Sequence, residues 1–117
     1  MELLEKSDNE IINTVTPLVE TMESGWDADN YEQFTEHFSE QMKALITTKN
    51  YDRQRKHIFP ILGQHSSLKL IKLHKNTDNV TLIWEMQCEK REIPILLMCS
   101  FASENNKTVI SSAIINY

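Results

Sequence analysis

The chain has 117 residues, 40% of them apolar and 25% charged, which is one domain's worth of ordinary globular composition. Two glycines and three prolines exclude collagen-like and low-complexity segments, and no apolar run approaches the roughly 18–20 residues of a membrane span. The net charge of −5 is uneven: residues 1–47 hold eleven acids against Lys6 and Lys43, whereas residues 48–117 hold ten bases against six acids.

The opening Met1-Glu2-Leu3-Leu4-Glu5-Lys6 is acidic and lacks the basic and apolar regions of a signal peptide, so the expected compartment is the cytoplasm. Residues 1–6 read as a loose end of a single domain over 1–117. Ser7-Asp8-Asn9-Glu10 is a capping-box pattern. Behind it Ile11, Ile12, Val15, Leu18, Val19 and Met22 fall at helical spacing, with Pro17 as a kink and Gly25 as the stop. Asp29-Asn30-Tyr31-Glu32 repeats the start signal, with Asp29 read as a cap. Tyr31, Phe34, Phe38, Met42 and Leu45 then form the apolar stripe of one second helix. A third helix begins after Thr47 or Thr48, buries Tyr51, Ile58, Phe59 and Leu62, and ends at Gly63.

From Gln64 onward the pattern is β, with four runs near 66–75, 80–89, 92–103 and 108–116. Two-residue turns at Thr77-Asp78, Lys90-Arg91 and Asn105-Asn106 set three antiparallel registers. They place Leu73 beside Leu82 and Ile71 beside Trp84. Cys88 then meets Ile93, Met86 meets Ile95, Trp84 meets Leu97 and Leu82 meets Cys99. Phe101, Cys99 and Leu97 meet Ile110, Ser112 and Ile114. All three hairpins bring their most apolar residues to one face, an agreement that a one-residue slip would destroy. Cys88 and Cys99 fall out of register with each other, so no disulfide is expected. The other face carries Leu70, Ile83, Glu85, Leu96, Met98, Ala102, Val109, Ala113 and Ile115 among others. That is too apolar for a face left to water, and it points to a homodimer through the sheet.

The expected class is therefore α+β, with three N-terminal helices packed on a curved four-stranded antiparallel meander. The stretch Trp26-Asp27-Ala28-Asp29-Asn30-Tyr31-Glu32-Gln33-Phe34, followed by Phe38-Ser39-Glu40-Gln41-Met42, resembles the second-helix segment of the NTF2-like (cystatin-like cone) superfamily. Leu45-Ile46-Thr47, Tyr51 and Ile61-Leu62-Gly63 are similar to small domains of unassigned function in that superfamily. The resemblance spans about residues 8–117 and implies a cone whose inner sheet face and helices enclose a pocket. It does not select an activity, because members include isomerases, cyclases, dehydratases and non-catalytic binding modules.

An isomerase of this shape needs an acid or base inside the cone. The sheet positions expected there hold no carboxylate and no histidine, and Glu85 falls on the opposite face. From the helices, Tyr31, Tyr51, His37, His57, Asp27 and Asp29 are the remaining candidates. His37 and His57 read as surface residues, and His65 and His74 as strand-end residues. No phosphate loop, nucleophile elbow or metal-ligand spacing occurs, so no catalytic residue, metal or cofactor is assigned. The basic cluster Lys49, Arg53, Arg55, Lys56 and His57 lacks the interleaved aromatics of a nucleic-acid site, and no nucleic-acid or membrane partner is expected. The function expected from these features is a dimeric, non-catalytic module binding a small apolar ligand or a protein partner. Its pocket candidates are Trp26, Tyr31, Tyr51, Trp84, Met86, Leu97 and Phe101. The alternative is an enzyme similar to ketosteroid isomerases or polyketide cyclases, acting on a small hydrophobic substrate.

Overall fold

A computed structural model describes residues 2–117. Four helices precede a four-stranded antiparallel sheet, which makes the chain α+β. After a 3-10 turn at Glu2–Glu5 come α1 (Asp8–Asp27), α2 (Tyr31–Thr35), α3 (Glu40–Leu45) and α4 (Thr48–Leu62). The strands β1 (His65–Lys75), β2 (Val80–Cys88), β3 (Ile95–Glu104) and β4 (Lys107–Asn116) then pair in sequence order. No helix of the described residues is long and apolar enough to cross a membrane.

The helix starts follow their side chains. Ser7 accepts from the Glu10 amide and the Glu10 carboxylate reaches back to the Ser7 amide, which completes the capping box of α1. Pro17 does not interrupt that helix: it lies on the exposed side, as does Asn13, whose carbonyl would otherwise receive an amide at position 17. Gly25 is not the stop. The helix continues to Asp27, and Gly25 is instead the point of closest approach to α2, where an added Cβ would stand 2.4 Å from the Phe34 amide nitrogen. Asp29 is not the cap of α2 either. Asn30 takes that role by accepting from the Gln33 amide, while Asp29 adopts a positive φ of 54°.

The single second helix expected from the stripe is two short helices. Ser39 caps α3, and the segment between α2 and α3 leaves helical pairing to bond the edge of the sheet. There the Ile110 amide donates to the His37 carbonyl and the Ser39 amide donates to the Ile110 carbonyl. Phe38 is thereby held in the core, whereas Leu45, at the end of the stripe, is 65% exposed. Within the expected loose end 1–6, Met1 lies outside the described residues and Leu3, in the 3-10 turn, is buried in the core.

The β2–β3 register agrees with expectation from Val80↔Phe101 to Met86↔Ile95. The ladder stops there, because the connection runs from Glu89 to Pro94 rather than through a two-residue turn. Cys88 does not meet Ile93, which is 80% exposed. The other two hairpins agree near their turns and then slip by one residue, and β1 slips by one more between Ser67 and His65, which pairs with Cys88. Asn105 and Asn106 both have positive φ, as a tight hairpin turn requires. Phe101 pairs with Ile110, but Ser111 is then bulged out, so Cys99 faces Ala113 and Leu97 faces Ile115. On β1 the pairing Leu73↔Leu82 is as expected, and Ile71 is the bulged residue, so Leu70 rather than Ile71 stands beside Trp84. Each bulge reverses the facing of every residue beyond it. Leu70, Ala113 and Ile115 therefore turn inward to the core, while Ile71, Ser112 and Ile114 leave it.

The core lies between the inner sheet face and the helices, chiefly the α1 stripe Ile11, Val15, Val19 and Met22. Opposite them stand Val80, Leu82, Trp84, Met86, Ile95, Leu97, Cys99 and Phe101. Both cysteines are buried and unpaired.

Candidate functional site

The end of α1 carries the acids that border the interior. Glu23 and Asp27 lie four residues apart, on one side of the helix. Beyond Trp26 and Asp27 the helices and the inner sheet face part to leave a cavity of ≈ 100 Å³. That volume admits a few water molecules or a compact organic molecule. Helix α1 lines it with Met22, Glu23, Trp26 and Asp27, and α2 with Phe34. Gln54, Ile58 and Leu62 come from α4, and His65 from the start of β1. Met86, Cys88, Leu97, Ala113 and Ile115 form the sheet side. The two inward-turned residues of β4 therefore belong to the wall, a consequence of the Ser111 bulge.

Glu23 is the one ionisable acid among the buried polar residues, at 6% exposure. Its carboxyl receives no hydrogen bond from the described residues, and Glu23 borders the cavity. Burial, reinforced by the negative charge of Asp27, pushes its pKa up from 4.5 to about 8. Asp27 is bound differently. Its Oδ2 lies 2.6 Å from His65 Nδ1, and its Oδ1 accepts from the His65 backbone amide at 3.3 Å. His65 Nε2 has no hydrogen-bond partner among the described residues. Burial and then the charges of Glu23 and Asp27 raise the Cys88 pKa, which keeps that thiol protonated and poorly nucleophilic.

Of the pocket candidates read from the sequence, the cavity is lined by Trp26, Met86 and Leu97. Tyr31, Tyr51, Trp84 and Phe101 do not border it. The Tyr31 hydroxyl donates to the Ile46 carbonyl, and the Tyr51 hydroxyl donates to Asp29 at 3.0 Å. Both rings belong to an aromatic cluster with Trp26 and Phe34 that fastens α4 to α1 and α2. Trp84 and Phe101 meet edge to face within the core, their centroids 6.3 Å apart. His57 is exposed, and His37 pairs with Glu36. Asp29 ties Tyr51 to Arg55, whose guanidinium donates to the Trp26 and Asp27 carbonyls and stacks over Phe59.

Glu23 is absent from the residues the sequence singles out, because one glutamate on a helix is ordinarily a surface residue. Its i+4 relation to Asp27 and its place beside Met22 on the buried stripe were the available clues. His65 is the strand-end residue that the sequence predicts, the first of β1. The missing information was that the β1 start faces the α1 end. Among the described residues no cluster of three or more acidic, histidine or cysteine side chains is arranged to hold a metal ion. The sequence matches no protein-family model, and no curated protein matches it at a significant level.

Proposed function

We propose that the chain is a binding module of the NTF2-like cone type, holding a small, largely apolar molecule in the cavity beside Glu23. The observation that carries this reading is the Glu23 carboxyl, buried without a partner in an otherwise mainly apolar wall. A ligand with one complementary polar group gives that carboxyl the hydrogen bond the chain does not supply, while its apolar part covers the rest of the wall. Helices laid across one face of a four-stranded antiparallel meander support the cone assignment. The test is methyl and indole NMR of the protein titrated with small alcohols such as isobutanol and benzyl alcohol. Shifts confined to Met22, Met86 and Trp26 are expected. Their absence throughout, at concentrations reaching tens of millimolar, overturns the reading.

The proposed assembly is a homodimer through the outer sheet face. Ile83, Met98 and Ile114 are directly paired neighbours on three adjacent strands and form one apolar row, with Leu96 beside it. Met98 and Leu96 are each 40% exposed and Ile114 is 60% exposed, which leaves a contiguous surface for a second copy. Native mass spectrometry of the purified protein tests it, and a monomer at micromolar concentration overturns it.

The Asp27–His65 pair favours a second reading, an acid–base enzyme acting on a small hydrophobic carbonyl compound. Asp27 orients the imidazole through Nδ1, leaving Nε2 to accept a proton, and protonated Glu23 is positioned on the same cavity as a hydrogen-bond donor. Exchange of α-hydrogens of small ketones with deuterated solvent measures this. The enzyme reading fails if the protein gives no rate above buffer, or if His65→Gln leaves the rate unchanged.

A further inference from the structure

The cavity is polar on one side only, and the charged side chains that line it are the acids Glu23 and Asp27, with His65 held on Asp27, while Arg91 acts on Cys88 from outside the lining. Glu23 borders it without a donor, Asp27 stands one turn along the same helix, and neither lysine nor arginine is among the lining residues. The nearest guanidinium of α4, Arg55, is committed to the Trp26 and Asp27 carbonyls and to the Phe59 ring. The rings of Trp26 and Phe34 stand 5.4 Å apart in the same wall. A carboxyl lacking a donor, a second acid beside it and two aromatic rings form the environment that an alkylammonium group recognises.

We infer that the cavity selects small organic amines, bound as their ammonium form with the nitrogen on the Glu23 carboxylate and the alkyl part among Met22, Met86 and Leu97. This rests on the small-molecule reading of the same pocket and narrows it to a ligand class. The cation supplies the donors that the chain withholds from Glu23 and relieves the repulsion between Glu23 and Asp27. An anionic isostere would add a further negative charge to the same space and is excluded.

Binding is coupled to a proton. The groups facing Glu23 are Asp27 on α1, His65 on β1, Cys88 on β2 and Cys99 on β3. Helices α2 and α4 contribute Phe34, Gln54, Ile58 and Leu62, and β4 contributes Ala113 and Ile115, all uncharged. Because free Glu23 ionises only near pH 8, an ammonium that pairs with the carboxylate displaces its proton to solvent. An alkylamine stays protonated throughout this range, its own pKa being about 10.

The experiment is titration of the full chain with isobutylamine, isobutanol and isobutyrate, followed by NMR of the Met22, Met86 and Trp26 signals and by calorimetry. At pH 7.5 isobutylamine is expected to bind at least about tenfold more tightly than isobutanol, with no binding of isobutyrate. Its affinity should rise about tenfold between pH 6 and pH 7, with close to one proton released per amine bound. Glu23→Gln, which keeps the shape of the protonated side chain, should abolish both the preference and the proton release. Isobutanol binding as tightly as the amine overturns the amine inference and leaves the pocket reading standing. Amine binding that is independent of pH in the wild type overturns the assignment to Glu23. Failure of all three probes to move the signals overturns the pocket reading and the inference together.

Discussion

Asp27 grips His65 twice, at the ring through Oδ2 to Nδ1 and at the backbone through Oδ1 to the amide. The end of the longest helix is thereby fastened to the first residue of the sheet, at the edge of the cavity. A side chain that fixes both the ring and the main chain of one partner sets orientation as well as position. That sets it apart from the surface pair of His37 with Glu36, whose carboxylate is 59% exposed.

Replacing Asp27 with asparagine removes the charge and leaves a weaker acceptor for the imidazole. The expected loss of stability is about 1.5–3 kcal/mol, the range of a hydrogen bond to a charged group. A second effect follows inside the cavity. Asp27 contributes to the upward shift of Glu23 after burial itself, so the Glu23 pKa should fall in Asp27→Asn while remaining above the ordinary 4.5. Carbon-detected NMR titration of the glutamate carboxyls measures that directly. An unchanged Glu23 titration would show that the two carboxyls do not interact.

The pH dependence of stability follows from Glu23, whose carboxyl ionises at about 8 in the fold against 4.5 ordinarily. Below pH 4.5 both states hold the proton and there is no coupling. Between pH 4.5 and 8 the unfolded chain has released its proton while the fold keeps it, so the fold loses about 1.4 kcal/mol per pH unit from this group. Above pH 8 both states are ionised and the loss is complete. Glu23→Gln lacks that slope. Urea unfolding should find the variant more stable than the wild type at pH 8 by several kcal/mol, on the order of magnitude set by burying a charge. At pH 4 the gap should close. Parallel pH profiles for the two proteins would refute a buried, proton-holding Glu23.

How far this arrangement was legible in the sequence differs from element to element. The α1 start and the turn-proximal registers were readable because they are local: Ser7 with Glu10, and Asn105-Asn106 at a tight turn. The sheet registers departed from expectation at the Glu89–Pro94 connection, where the ladder stops short of a two-residue turn, and beyond Ile71 and Ser111. A bulge there costs one unpaired residue and leaves the apolar composition of the strand unchanged, so alternation gives no warning. The break between α2 and α3 has the same character. Phe34, Phe38 and Met42 keep helical spacing while the backbone at 37–39 leaves the helix for the edge of β4, a long-range competitor that no local pattern encodes. The site suffered most, because Glu23, Asp27 and His65 come together only through the packing of α1 against β1.

Gly25 offers a test of that packing. A methyl group there would come within 2.4 Å of the Phe34 nitrogen and 2.8 Å of its Cα, both backbone atoms that cannot rotate away. Gly25→Ala gains helix propensity, worth about 1 kcal/mol, yet it must drive α2 from α1 at a cost of about 1–3 kcal/mol or more. The balance expected is a net loss of stability, with altered Trp26 fluorescence because that ring packs on Phe34. Thermal unfolding and emission spectra check both. A variant more stable than the wild type would mean that the two helices are not held this closely.

The outer sheet face gives a prediction that separates assembly from folding. Met98 pairs with Ile83 on one side and Ile114 on the other, all three facing away from the helices. Met98→Lys places a charge in the middle of that row, and its long stem can lie along the sheet with the ammonium in water. In an isolated chain this costs little, within about 0.5 kcal/mol for an exposed position. In a dimer through the face it buries two unpaired charges opposite an apolar surface, and dissociation should weaken the assembly by at least a hundredfold. Analytical ultracentrifugation of the wild type and the variant over a concentration series resolves the two cases. A wild-type dimer that Met98→Lys leaves intact would place the interface elsewhere, the exposed Ile93 and Tyr117 at the Pro94 end of the sheet being the next surface to mutate.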